Sequence, residues 1–420
     1  MGPGFLIVAA LAAQSPDTTI YSSAATRDLI ARAAARHRAQ DTSVRDYRAK
    51  FHYRLTASMG RRKWGSAPPW AAEEQEGRVA WQLPGDLRIE IGGQRSRTRD
   101  SRGTLFSAFD QPWFVPRSLS DSVRLFGSDF PERASLHPLA PSGPDWYRYA
   151  GGDTITLTTS TGRQLRITRV EVVPRRPGPA LLAGQLWIDL ASAEVVRFAF
   201  RYIGTDLWIL PEGETRKDSA EARKANRRIN RVLSLDADLE YALQDGRHWM
   251  PYRQVLSGRV QVPLIGDVFI PFEAVTTFSD YAINTGEAVA FRLPPPDPLR
   301  RRTPEEREAR RDSLRSERRG RAREDTTTAR EWAGRLPDGG RFEIRRAPRD
   351  SLRTYAGWEA ALELQVSDAE ARRTEELRRE VADLVESLPR DVSGTSVTGF
   401  GFERLADAFR FNRVQGGSVG

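Results

Sequence analysis

Between residues 45 and 283 apolar and polar side chains alternate with a period of two, over about nine or ten short stretches. In "YRAKFHYRLT", Tyr47, Ala49, Phe51, Tyr53 and Leu55 fall on one side, and Arg48, Lys50, His52 and Arg54 on the other. This is the pattern of a half-buried antiparallel strand. In "GRVAWQLPGDLRIEI", Val79, Trp81 and Leu83 alternate, Pro84-Gly85-Asp86 turns, and Leu87, Ile89 and Ile91 return. Proline suits that turn because it fixes φ and cannot donate to a ladder. Ile155 and Leu157, a Thr161-Gly162 turn, and Leu165 and Ile167 predict a hairpin. The apolar phase then slips before Val170 and Val172, which predicts a bulge in that strand. In "GQLWIDLASAEVVRFAFRY" residues 185–189 climb and 190–193 turn, and Val196, Phe198, Phe200 and Tyr202 form an apolar stripe opposite Arg197 and Arg201. Leu233, Leu235, Ala237, Leu239, Tyr241 and Leu243 share a face, an Asp245-Gly246 turn follows, and Ile270, Phe272, Ala274, Thr276 and Phe278 complete the run. The whole predicts a mainly β, α+β protein: an antiparallel meander with one apolar face, curled enough to hold something against it.

Residues 26–40 read as a helix with Thr26 as cap and Leu29, Ile30, Ala33 and His37 on one face. The stretch from Phe109 to Pro144 holds six prolines and is expected to form surface loops or short helices. Residues 212–231 are a charged, poorly patterned insert. At 293 the composition shifts and "PPPDP" is expected to stop the sheet. Residues 300–323 then hold eleven Arg against five acids, with Leu314 the only large apolar side chain. Thr303-Pro304-Glu305 supplies helix-start chemistry, but a helix without an apolar face packs nowhere and stays solvated. Attachment to anionic lipid head groups is the alternative use of this charge. Ser367 and Glu370 form a capping box ahead of Leu377, Val381, Val385 and Leu388, predicting a helix over 367–388. The expected organisation is a signal peptide at 1–16, a β-rich domain at 17–292, an Arg-rich linker or solvated helix at 293–340, and a small C-terminal region at 341–420.

The signal peptide rests on "FLIVAALAA", an apolar run ending in small residues, too short to span a bilayer and suited to the apolar segment and cleavage site of an export signal. Export is therefore expected. Net charge is +9, which raises nucleic acid as a partner. All but four of the 65 basic residues are Arg, interleaved with acids over most of the chain; a phosphate-binding surface would cluster them. No nucleic-acid partner is expected, the 299–323 segment being where one would bind. The absence of cysteine removes disulfides, thiol nucleophiles and the usual zinc sites. The four histidines, His37, His52, His137 and His248, are dispersed, and no protease, hydrolase-elbow or nucleotide-loop motif occurs. Asp189 and the Asp236/Asp238 pair are carboxylates of a kind acid–base chemistry uses, but turn-forming and solvent-facing roles explain them better. The chain is expected not to be an enzyme and to need no cofactor or metal.

An N-terminal helix followed by a strand bearing Gly77 and Trp81, a turn at Pro84 and a returning apolar strand resembles the start of the periplasmic lipoprotein-carrier fold. This is the LolA/LolB-like group, which includes RseB-type sensor domains. Trp187, Ile188, Asp189 and Val196 are similar to that group's later hairpin. The resemblance covers residues 26–283. It implies a half-barrel under a helical lid, enclosing an apolar cavity for a lipid or lipoprotein acyl chain. The implied cavity-lining residues are Phe51, Tyr53, Trp81, Ile89, Trp187, Val196, Phe198, Phe200, Leu239, Tyr241 and Phe272. The arrangement also resembles bacterial outer-membrane proteins in which such a domain precedes a transmembrane barrel, with "FRFNRVQGGSVG" similar to the start of one. That implies a location in the periplasm or at the outer-membrane surface. It leaves a ligand-free structural module of a barrel protein as the alternative to a lipid binder.

Overall fold

In a computed structural model of the chain, the described residues are 20–39, 43–58, 60–61, 69–98, 111–124, 134–158, 162–176, 181–203, 233–261, 268–292, 329–335, 340–362 and 372. The expected signal peptide, the 212–231 insert, the 300–323 Arg-rich segment, the barrel-like 400–420 stretch and, apart from Arg372, the 367–388 helix lie outside them.

Ten long strands form the body: β1 (Asp46–Ser58), β3 (Pro69–Gln82), β4 (Asp86–Thr98), β7 (Tyr147–Thr158), β8 (Gln164–Pro174), β9 (Leu181–Asp189), β10 (Val195–Ile203), β11 (Leu233–Gln244), β12 (His248–Gln261) and β13 (Val268–Ile283). Short pieces accompany them: β2 (Gly60–Arg61), β5 (Ser122–Val123) and β6 (Ser135–Leu136). The main sheet runs β14-β15-β4-β3-β1-β13-β12-β11-β10-β9-β8-β7, with β2 beside β13. Here β14 is Arg330–Arg335 and β15 is Arg341–Arg346. The sheet is curled and open, as the alternating pattern predicts. It comprises two meanders, β1-β3-β4 and β7 through β13, joined where β1 pairs with β13.

Three local expectations change. The sheet resumes after the "PPPDP" stretch, because Phe342 and Ile344 give β15 enough apolar character to pair with β4, in parallel. The following α2 (Arg349–Arg353) leads to Tyr355, whose hydroxyl donates to Glu76 at 2.9 Å, and to Trp358, whose ring lies 4.2 Å from the Arg95 guanidinium. The phase slip in β8 is no bulge: β8 pairs with β9 without a register shift, and the shift lies in β7, between Gly151 and Thr154. Leu165 and Ile167 face outward and Val170 and Val172 inward, so β8 is apolar on both faces. Helix α1 (Ala24–Ala39) starts two residues before Thr26, and its cap is Ser23, whose hydroxyl accepts from the Thr26 amide at 3.1 Å. Leu29, Ile30 and Ala33 bury the expected face.

Gly77 shows how tightly neighbouring strands meet. It lies at a register shift between β3 and β4, and a Cβ there would come within 2.0 Å of the Glu90 carbonyl and 2.8 Å of the Phe51 ring. Backbone cannot yield as a flexible side chain can, so Gly77→Ala is expected to lower stability by about 1–3 kcal/mol. Chemical denaturation would measure this, and an unchanged midpoint would show that the strands separate freely here.

Candidate functional site

Cross-strand pairing decides what the concave face presents, because residues directly opposite share a face. One rank can be followed across nine strands. Gln94 faces Gln75, which faces Tyr53, then Thr276, Gln254, Leu239, Phe198, Leu186 and Val170. The rank is polar on its β4 side and apolar from β11 onward. Neighbouring ranks are apolar: Phe51 faces Phe278, Leu55 faces Ala274, and Phe200 faces Ala237.

This face is covered by the connection between β4 and β7. Phe114 sits 6.1 Å from the Phe51 ring and 5.3 Å from Phe278, and Trp113, Val115, Leu119 and Val123 are buried with them in one core. The described part of the 109–144 stretch, 111–124 and 134–144, therefore does not simply run over the surface as expected: Trp113, Val115, Leu119, Val123 and Leu139 pack inside the curl. The proline content of the stretch ruled out regular strands but not burial. An extended buried segment still carries backbone polar groups that need partners. The concave side chains provide them. Gln254 accepts from the Val115 amide at 2.7 Å and donates to the Val115 carbonyl at 2.9 Å. Thr276 donates to the Trp113 carbonyl at 2.5 Å. Four tyrosine hydroxyls do the same: Tyr47 to Pro116, Tyr202 to Val123, Tyr147 to Leu136 and Tyr149 to Pro138. Burial raises the pKa of Tyr47 and Tyr149, and pushes Tyr147 up to about 12, so these phenols remain donors.

The rank's other polar members serve a buried carboxylate. Gln75 and Gln94 donate amide hydrogens to the same oxygen of Glu73, at 2.9 and 2.6 Å. Beside them the Tyr53 hydroxyl is fully buried with no hydrogen-bond partner among the described residues, and its pKa is raised by burial and then by the Glu73 charge.

Helix α1 joins the cover through two histidines that the sequence separates by a hundred positions. His37 bonds Asp121 at 3.0 Å and stacks on His137 with ring centroids 4.4 Å apart; His137 in turn meets Phe198 edge-on. His137 Nδ1 accepts from the Leu139 amide at 3.0 Å. Desolvation lowers the pKa of His37 against the opposing pull of Asp121, and desolvation, with the neighbouring His37, holds His137 well below the ordinary value.

Of the eleven lining candidates, the structure gathers Phe51, Tyr53, Trp81, Ile89, Phe198, Phe200, Leu239 and Phe272 in the concave core. Val196 and Trp187 belong instead to a smaller cluster on the convex face, with Leu165, Ile167 and Trp249. A register shift between Val195 and Arg197 turns Val196 away from Phe198, so the stripe expected over 196–202 is one residue shorter. Tyr241, beside another shift, touches both clusters. The residues missed were Gln254 and Glu73 with Gln75. Their only signal was polarity in phase with buried neighbours such as Leu256 and Ala71. Asp238 and Asp236 pair with Arg197 and Arg201 through two hydrogen bonds each, and Asp189 caps the 190–193 turn. Among the described residues no group of three metal-ligating side chains occurs, and no helix is long and apolar enough to cross a membrane.

No protein-family model matches the chain, and no curated protein does. Among solved structures it is similar to a domain named for outer-membrane lipoprotein sorting from Vibrio parahaemolyticus, at 13% identity over 61% of this chain and 93% of that one, TM-score 0.22. It is similar to a LolA superfamily protein from Nitrosomonas europaea, at 10% identity over 61% and 92%, TM-score 0.18. It is similar also to MucB, at 13% identity over 62% and 94%, TM-score 0.18. Identity and superposition are both low, and the site rests on this chain's own residues.

The Gln254→Leu variant strands two buried backbone groups of Val115 and is expected to cost about 2–5 kcal/mol. Tyr53→Phe removes a hydroxyl with no partner and should change stability by less than about 1 kcal/mol. Urea titration of both variants checks the contrast, and equal losses would contradict the hydrogen-bond assignment. For the histidines, both folded pKa values lie below 6.5. The stability conferred by their neutral forms is present above that pH and is lost as pH falls beneath it. Melting temperature should therefore drop on acidification, and an equal drop in a His37→Gln, His137→Asn double variant would assign the effect elsewhere.

Proposed function

We propose that the protein is exported to the periplasmic side of the outer membrane. There, without enzymatic activity, it binds a lipid or another apolar group, such as a lipoprotein acyl chain, on its concave face. The observation that carries this reading is the nature of the cover. A wide apolar face is closed by a largely irregular segment, whose described residues pair with one another only in the two-residue ladder of β5 with β6, and the segment is held by hydrogen bonds from side chains to its carbonyls. Each such bond contributes about 0.5–1.5 kcal/mol net, so the cover can part from the face in steps. An acyl chain taking the place of Trp113 and Phe114 against Phe51, Phe272 and Phe278 would keep apolar surface from water at about 25 cal/mol per Å². The polar side of the rank, with Tyr53 unpartnered, suits the polar end of such a ligand. Trp187 and Val196, on the other face, would take no part.

The ligand-free structural module is the second reading, favoured by the near-complete burial of the concave residues under the chain's own cover. Native mass spectrometry of gently extracted protein separates the two. A carrier is expected to bring discrete lipid adducts that an excess of fatty acid displaces. Bare protein, with tryptophan emission indifferent to added fatty acid, would remove the binding claim and leave the structural role.

A further inference from the structure

The outer edge of β7 is the sheet's terminus, and it is treated differently along its length. Near its start it is occupied: the Tyr149 amide donates to the Ile20 carbonyl at 2.8 Å, and the Ser22 amide to the Tyr149 carbonyl at 3.0 Å, in a parallel bridge. The Ser22 hydroxyl also takes the Gly151 amide at 2.9 Å. Beyond the bulge at 152–153, no strand among the described residues pairs with the outer side of 154–158. Such an edge presents a row of amides and carbonyls to any chain that can pair with it. Natural edges are commonly blunted by lysine, proline or an inward charge. Residues 154–158 contain none of these; they read Thr-Ile-Thr-Leu-Thr.

The side chains add direction. Ile155 and Leu157 are 47% and 48% exposed, two of only three large apolar side chains so exposed among the described residues. They stand opposite Ile167 and Leu165, members of the convex apolar cluster. That cluster thus runs to the edge of the sheet and stops there half uncovered. The three threonines occupy the other face, where Thr154 bonds Thr168 at 2.7 Å.

We propose that residues 154–158 form a homodimerisation edge, at which a second copy adds its own β7 antiparallel about Thr156. The sequence is symmetric in kind about that residue. A two-fold axis through it places Ile155 against Leu157 of the second copy, Thr154 against Thr158, and Thr156 against its own counterpart. Every pair is apolar with apolar or hydroxyl with hydroxyl, no like charges meet, and the contact is isologous and closes on itself. A bilayer would cover the two aliphatic side chains but leave the edge amides and carbonyls unpaired, which is costly away from water. The convex cluster becomes continuous across both copies. The five-residue length, limited by the bulge and the 20–22 segment, sets a modest affinity.

The test uses the purified full chain in sedimentation velocity over a concentration series. A concentration-dependent dimer is expected, weakened by about tenfold or more in an Ile155→Lys, Leu157→Lys double variant. A cysteine-free chain allows a second measurement that reads register, even should the lysine variant misfold. Thr156→Cys places a thiol opposite its own counterpart and should form a disulfide-linked dimer about tenfold faster than Ile155→Cys, which faces Leu157. A chain monomeric at every concentration, a dimer unmoved by the lysines, or equal crosslinking at 155 and 156 would overturn the proposal.

Discussion

Connectivity places the cover. With β1 paired to β13, strands β4 and β7 stand nine strand spacings apart in the sheet, roughly 45 Å along its surface. The chain must travel from one to the other, and in a curled sheet the direct route lies across the hollow. A segment buried on that route cannot leave its amides and carbonyls without partners. Six concave side chains, four of them tyrosines, point hydroxyls or an amide at it for this reason. The apolar face, its polar rank and the irregular cover are one solution to a single routing problem.

The two faces are stabilised in different ways. The concave side depends on burial and on bonds to an irregular backbone, where losing one partner strands the other. The convex side carries ion pairs, some exposed or half-exposed, such as Arg201 with Asp236, which contribute little individually in water, and one built on the buried Glu74 between Arg54 and Arg95. A second apolar cluster interrupts it around Trp249 and Ile167. Strand β8 serves both faces within eleven residues, which is why its pattern looked broken when read for one.

Strand positions were legible because a period of two is imposed by the pleat itself, and Tyr47, Phe51, Leu55, Phe198 and Phe200 obeyed it. Less was legible where the backbone departs from that period. The shift beside Val195 moved Val196 to the opposite face, and nothing in "AEVVRF" distinguishes a shifted strand from a regular one. The cover was misplaced for a related reason. Prolines at 112, 116 and 138 announce irregular backbone, and irregular backbone is usually outside; here long-range tyrosines and Gln254 satisfy it, and such partners leave no local trace. The join of β15 to β4 was hidden because the two are some 250 positions apart in sequence.

The transverse rank from Gln94 to Gln254 fixes alignment as well as polarity. Sliding any one of its strands by a single position would swing its polar member to the outside and bring a neighbour of opposite character beneath the cover. Strands β12 and β13 must therefore be in step before Trp113 and Val115 can find their partners, Thr276 and Gln254. Contacts so distant along the chain form slowly. The cover's bonds to β12 and β13 are of this kind, each joining positions well over a hundred residues apart.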